Sequence, residues 1–469
     1  MPTARQHLAW LAAALTLSAC AVGPNYVRPT APTTPAFKES SDWRPANPSD
    51  AADRRDWWTV FGDATLNDLE QQVAANNQSL AAAEANYRQA HALVAEQRAA
   101  LFPTVDIESS ANLAGAGRGK PSQAYRLGLG ATWEPDIWGR IRRGVESAQA
   151  SAQSSAADLA GARLSLQMEL AADYIQLRQL DEEKRILDAT VAAYQRTLTV
   201  TQNKYTAGTN PKSDVLQAQT QLRSTMAQST DLIQQRARVE HAIAVLIGKP
   251  PADVTIAPAA WTLRPLDIPP TLPSELLERR PDIASAERQA AAASARIGVA
   301  IAAFFPTLDL SASGGGAASR IGQLFSASNL FWTLGAAAAE TIFDAGARQA
   351  QVSQARAAYD AAVATYRETV LEAFAQVEDN LSAQRVLASE QTDRAAAYQA
   401  ANQALEIFEN QYRAGTVDYT SVVVAQTNAL NAHNAELSVE AARLTTMVDL
   451  IAALGGGWTV SSDPLVARR

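Results

Sequence analysis

A single cysteine, Cys20, stands in 469 residues, so neither an internal disulfide nor a cysteine-built metal site can form. Histidine is almost as scarce: His7 falls in the N-terminal segment that reads below as a signal, and His91, His241 and His433 are scattered, no two at ligand spacing, each reading as a helix-surface residue. Aromatics at 6% and charged residues at 19% are low, which argues against a large aromatic core and leaves an alanine-rich chain suited to long helices packed through small side chains. A formal charge of -8 without any basic stripe sets nucleic acid aside. The triplets Gly314-Gly315-Gly316 and Gly455-Gly456-Gly457 lack the lysine and the strand-to-helix context of a phosphate cradle, and read as a loop and a helix stop. Acid pairs Glu182-Glu183 and Glu378-Asp379 sit beside basic neighbours, as solvated helix faces do. No convergent titratable set of the kind an enzyme needs is visible, and no cofactor is expected.

The N-terminus carries the first positive signal. Arg5 precedes a short apolar run, about ten residues where a bilayer span takes roughly 20, and the run closes on Leu17-Ser18-Ala19-Cys20. Residues 1–19 therefore read as a secretory signal. Leu-Ser-Ala-Cys resembles the bacterial lipobox, which implies a diacylglyceryl group on the Cys20 thiol and cleavage just before it; the alternative is an ordinary signal with an incidental cysteine. Ala21 stands where an Asp is often linked with inner-membrane retention, which favours the outer membrane. Pro24, Pro29, Pro32, Pro35, Pro45 and Pro48 make residues 20–60 an extended leash.

Repeats organise the remainder. Asn203, Tyr205, Ala207, Gly208 and Thr209 recur 207 positions later as Asn410, Tyr412, Ala414, Gly415 and Thr416, and the same shift carries Gly139 to Gly346 and Gly248 to Gly455. Phe102-Pro103-Thr104 recurs as Phe305-Pro306-Thr307 at a shift of 203, so four residues must have been inserted between Thr104 and Gly139 of the pattern. The chain is two copies of one unit, at 61–249 and 276–457, joined by a proline-rich linker at 250–275 and followed by a tail at 458–469.

Proline is absent from 136–210 and 307–463, the windows for long helices. A helix over 140–206 would extend roughly 100 Å at 1.5 Å per residue. In the second unit Val352, Tyr359, Val363, Tyr366, Val370, Phe374, Val377 and Leu381 form a coiled-coil-like seam. Tyr-x-Ala-Gly-Thr ends each long helix, and a shorter one returns, giving antiparallel hairpins at about 140–248 and 345–455. Ahead of each hairpin, period-two alternation marks two strands, at about 104–114 and 124–136, then at about 307–316 and 329–342. Ten residues suit a tilted transmembrane strand, although a soluble hairpin shows the same period. Four strands cannot close a barrel, and an open edge in lipid strands its backbone groups; two copies would supply eight strands and three would supply twelve, of which the larger leaves an open lumen.

Several motifs in order now carry a family resemblance: Cys20 in its lipobox, Trp57-Trp58-x-x-Phe61-Gly62-Asp63, Phe102-Pro103-Thr104, Trp133-Glu134-Pro135-Asp136-Ile137-Trp138-Gly139-Arg140 and Arg279-Arg280-Pro281-Asp282-Ile283. The chain resembles the outer-membrane factor lipoproteins of tripartite efflux systems, the TolC-like or NodT group. The resemblance implies a mainly helical fold with a small strand part, a homotrimer with a 12-stranded transmembrane β-barrel continuous with a periplasmic α-helical barrel, and an equatorial belt. It implies passive conduction of drugs or other small molecules, with a periplasmic adaptor and an inner-membrane pump as partners and outer-membrane lipid around the strands. In similar proteins side chains around the helix turn narrow the pore; here Tyr412, Arg413, Asp418 and Thr420 occupy that region, with Thr420 and Val424 where a Leu and an Asp are expected. Two other readings stay open, a structural envelope lipoprotein and a duct for protein or metal export.

Overall fold

The computed structural model describes residues 21–34, 36–40, 56–115, 117, 121–264 and 280–456. The signal segment, Cys20, part of the leash, part of the linker and the C-terminal tail lie outside the described residues. Four strands and seven helices are named here in chain order: α1 (Ala64–Asn76), α2 (Gln78–Ala99), β1 (Thr104–Ala114), β2 (Ser122–Trp133), α3 (Arg140–Thr206), α4 (Lys212–Leu246), α5 (Pro281–Ala302), β3 (Thr307–Ala318), β4 (Leu330–Ala339), α6 (Ala347–Ala414) and α7 (Tyr419–Ala453). The fold is mainly helical with a small strand part, as expected. β2 and β4 stop three residues short of the expected ends, because Pro135 denies the first a ladder donor and Asp344 is already turning the second into its helix.

Each boundary has a local cause. Asp136 accepts from the amides of Ile141 and Arg142 at 2.9 and 2.8 Å, and Asp344 from those of Gly346 and Arg348 at 3.0 and 3.1 Å, so a carboxylate caps the start of each long helix. At the other end Gly208 and Gly415 adopt φ of 76° and 78°. Their amides reach back to the carbonyls of Tyr205 and Tyr412, and the next residues, Thr209 and Thr416, reach those of Lys204 and Gln411. This is the paired hydrogen bonding of a Schellman stop. α3 and α6, of 67 and 68 residues, run unbroken between these signals.

The chain forms two compact units. One comprises the described residues of Met1–Ala31 with Ala85–Ala157 and Ile283–Thr369; the other comprises those of Pro32–Glu84 with Asp158–Asp282 and Val370–Arg469.

The first unit holds the sheet, in the order β1-β2-β3-β4 with every neighbour antiparallel. Thr104 pairs Thr132, and Thr307 pairs Ala339. A shift of 203 thus carries β1 onto β3, while 207 carries β2 onto β4. The four extra residues fall in the second hairpin's loop, where Ile321–Gln323 and Ala327–Asn329 form single turns. The start of the leash is fastened to this unit: the Val22 amide donates to the Trp138 carbonyl at 3.0 Å, Arg143 donates to the carbonyl of Val22 and the side chain of Asn25, and the Tyr26 hydroxyl donates to Glu287 at 2.5 Å. A Cβ on Gly139 would lie 2.7 Å from the Cα of Ala21, so only glycine lets the strap lie this close.

In the second unit the main core gathers Trp57, Trp58, Leu66, Leu69 and Val73 against Leu170 and Tyr174 of α3, Ile243 of α4 and Leu444 and Val448 of α7, with Ile256 and Leu263 of the linker. Arg178 and Arg236 share Asp181, at 2.9 and 2.6 Å, and donate onward to the carbonyls of Ala257 and Ile256. These bonds hold the linker against the helices. Farther along the leash, Phe37 packs on Phe374, and Glu378 accepts the amides of Lys38 and Glu39. Within the core, Glu70 is wholly buried with no hydrogen-bond partner for either carboxylate oxygen, and burial pushes its carboxyl up to about 9.

Candidate functional site

Two places merit the name, one in each unit. In the first, the pairing registers sort the sheet into two faces. Val105, Ile107 and Leu113 of β1 share a face with Leu127 and Leu129 of β2, Leu308 and Leu310 of β3, and Leu330, Trp332 and Leu334 of β4. Val105, Ile107, Leu113, Leu129, Leu330, Trp332 and Leu334 are exposed. The opposite face carries Asp106, Glu108, Ser110, Asn112, Arg126, Asp309, Ser311 and Thr333, and there the Arg126 guanidinium lies 4.1 Å from the centre of the Phe331 ring. Apolar side chains outward over about ten residues, with charge and hydroxyls behind, are the pattern of a strand set between lipid and water. No described helix is long and apolar enough to cross a membrane. Among the described residues the outer edges of β1 and β4 have no strand beside them.

The second place is the pair of hairpin turns. Tyr412 is only 3% exposed, and its polar side-chain partners come from the other repeat. Its hydroxyl donates to Thr201 at 3.2 Å and accepts from the Asn210 amide at 3.2 Å, while the Lys204 ammonium lies 4.1 Å over its ring. Tyr419 tilts against it at 5.4 Å, and Tyr194, Leu198, Val215, Leu222 and Val422 complete a small core. Burial raises the phenols of both Tyr412 and Tyr419 above their ordinary range. Tyr412 is therefore a strut between the two hairpins.

Arg413 is exposed and held to its own helix by Asn410 and Glu409, at 2.9 and 3.1 Å. Asp418 caps α7, accepting from the Ser421 amide and hydroxyl at 2.9 and 2.7 Å, and these bonds keep its carboxyl below the usual carboxylate range. Thr420 is exposed and lines, with Asp418, Ala401, Phe408 and Val424, an open cavity of about 450 Å³ between α6 and α7. Thus Tyr412 keeps company with Thr201, Lys204, Asn210 and Tyr419, while Asp418 and Thr420 share the groove and Arg413 stands on the surface. Thr201, Lys204 and Asn210 were missed because all four expected gate residues stand in the second repeat. Their signal was the 207 shift itself: Tyr205, the counterpart of Tyr412, is 44% exposed, so the two tyrosines could not both be read from their own turns.

Of the other histidines, His433 stacks on Tyr398 at 4.2 Å and burial lowers its pKa. Among the described residues no group of three or more His, Cys, Asp and Glu side chains converges as a metal site would require.

Comparison with known proteins follows from this geometry. A family described as outer membrane efflux protein matches residues 69–249 and 272–456. The pyoverdine export outer membrane protein OpmQ of Pseudomonas aeruginosa is 33% identical, over 99% of this chain and 99% of its own. The solvent efflux pump outer membrane protein SrpC of Pseudomonas putida is 31% identical, over 96% and 98%. Among solved structures, the outer-membrane channel OprN superposes with a TM-score of 0.87 at 32% identity, covering 94% of this chain and all of that one.

Proposed function

The chain belongs to the outer membrane efflux protein family, and from that premise we propose how its parts work as the exit duct of a tripartite pump. It is an outer-membrane efflux channel with a large periplasmic part, and not an enzyme. The observation that carries the proposal is the two-faced sheet with open edges. Three copies bring their strands together in the outer membrane, lipid meets the face of Ile107 and Trp332, and cargo passes along the face of Asp106 and Arg126. Each repeat, 61–249 and 276–457, contributes one strand hairpin and one helix hairpin, and the described part of the linker packs on the helices of the second unit through Ile256 and Leu263.

Cys20 is the lipid attachment point. The described neighbour Ala21 is seated against Gly139, six residues beyond the end of β2. Replacing Cys20 with Ser is expected to abolish incorporation of labelled palmitate with helical content unchanged; label retained by the variant would refute the anchor.

Closure belongs to the hairpin turns. Tyr412 acts there through packing, clamping the second hairpin to Thr201 and Asn210 of the first, while Arg413, Asp418 and Thr420 present polar groups at the tip. A periplasmic adaptor and an inner-membrane pump complete the assembly, and the groove beside Thr420 is open to a partner's helix. Choice of cargo rests with the pump: relatives at 33% and 31% identity carry names that speak of pyoverdine in one case and solvents in the other. Planar-bilayer recording tests the duct and its gate together. The wild type is expected to conduct little, and Tyr412→Ala to raise conductance several-fold; a variant indistinguishable from wild type would remove Tyr412 from the closing mechanism.

A further inference from the structure

The polar face of the sheet carries its charges in layers. The registers set Asp106 beside Gly130, then Glu108 in one row with Gly128, Gly315 and Phe331, then Ser110 with Arg126 and Ala317. Asp309, opposite Ala337, lies nearer still to the helices. Three acids thus stand on the helix side of this face, and Arg126, its one cation among the described strand residues, stands toward the hairpin loops.

Arg126 is exposed and has no carboxylate to neutralise it among the described residues. Glu108, the acid closest to it by register, leans the other way: its Oε1 lies 3.7 Å from where a Cβ on Gly130 would be. The guanidinium instead lies 4.1 Å from the centre of the Phe331 ring. That ring reaches its place over glycine. Phe331 starts on β4 with Gly315 beside it on β3 and Gly128 next on β2, and a Cβ on Gly128 would lie 3.4 Å from the ring's Cζ. An aromatic laid across glycines of neighbouring strands is held by the sheet itself, so Arg126 has a fixed platform. The shift of 207 makes Thr333 the equivalent of Arg126 and Ala124 that of Phe331, so duplication does not repeat the pair and each copy has one.

We propose that Arg126 and Phe331 form a station on the duct wall for flat aromatic anions, molecules that join a ring to a carboxylate or a sulfonate. The fork of guanidinium N–H groups donates to the anion, with no carboxylate of the chain competing for it, and the ring of the cargo packs against the aromatic surface that Phe331 supplies. An anion that has been driven past Asp106 and Glu108 meets attraction at Arg126 and repulsion behind it, an order of charges that favours exit. A conduit needs such holding to be weak enough for release, as an open wall site provides. This rests on the exit duct proposed above and names one class of its cargo; the pump admits the cargo, and the wall sets how long it stays.

Block of ionic current tests the station. The full chain in planar bilayers is exposed to naphthalene-2-sulfonate from the side of the hairpin loops. Half-block is expected at a concentration roughly ten times higher in Arg126→Gln than in the wild type, the loss of a charge-assisted contact, and about three times higher in Phe331→Leu, which keeps bulk without the ring. Methanesulfonate, a charge without a ring, is expected to act alike on the wild type and Arg126→Gln. Equal half-block of the wild type and Arg126→Gln by naphthalene-2-sulfonate overturns the station, and methanesulfonate separating the two as strongly overturns the aromatic class. Equilibrium dialysis of the detergent-solubilised full chain against naphthalene-2-sulfonate needs no open pore. Arg126→Gln is expected to bind roughly tenfold more weakly there, and equal binding overturns the station whatever the bilayer records. A wild type that passes no current and has the mass of one or two copies contradicts the duct, a failure separate from that of the station, which the dialysis still decides.

Discussion

Glu70 shows what one residue can impose on the whole chain. It sits among Leu66, Leu69 and Val73, wholly buried, with both carboxylate oxygens lacking a hydrogen-bond partner. Desolvation alone raises its carboxyl from an ordinary 4.5 to about 9, so the folded chain keeps a proton that the unfolded chain gives up. The sign follows. Below about 4.5 both states hold the proton and stability is greatest; from there to about 9 only the folded state holds it, and stability falls by up to roughly 1.4 kcal/mol per pH unit. Glu70→Gln, which needs no proton, is expected to flatten this dependence and to raise the thermal midpoint at pH 8. A variant whose midpoint falls as steeply with pH as that of the wild type would show that another group is responsible. Nothing in the sequence announced this residue, because the heptad-like spacing that buries Leu66, Leu69 and Val73 also turns position 70 inward, and a lone Glu on a short helix reads as solvated. Tyr412 was half legible in the same way. Its motif stood out, but its role depended on Thr201 and Asn210, two hundred residues away in sequence.

At the scale of elements the chain was nearly transparent. Proline-free windows, capping carboxylates and the glycines at 139, 208, 346 and 415 are local signals, and α3 begins and ends where they put it. Strand ends were less clear, since alternation continues past β2 into Glu134-Pro135 although the ladder cannot. The arrangement of the four strands in one sheet, with β2 against β3, came from the structure. Alternation tells a strand which face is apolar but not which neighbour it takes. The fastening of the leash was likewise invisible: prolines made it extended, whereas its path depends on Gly139 having no Cβ where Ala21 passes and on Gly23 having none where it passes the backbone of Gly298. The repeat offset, by contrast, was readable to the residue, and the registers place its four-residue step in the hairpin loop.

For the molecule as a whole, the decisive feature is what a single copy leaves undone. Its sheet has an apolar face, a polar face and two edges with no strand beside them among the described residues, a combination that no bilayer tolerates in one copy. Duplication within the chain supplies half of the answer by pairing β2 with β3, and the duct proposed above takes the rest from further copies. The copy number is where this account is most exposed. Light scattering of the detergent-solubilised mature protein, with the detergent contribution subtracted, measures it directly. Three times the mass of one copy is predicted, as twelve strands require; a single copy, or two, would contradict the duct.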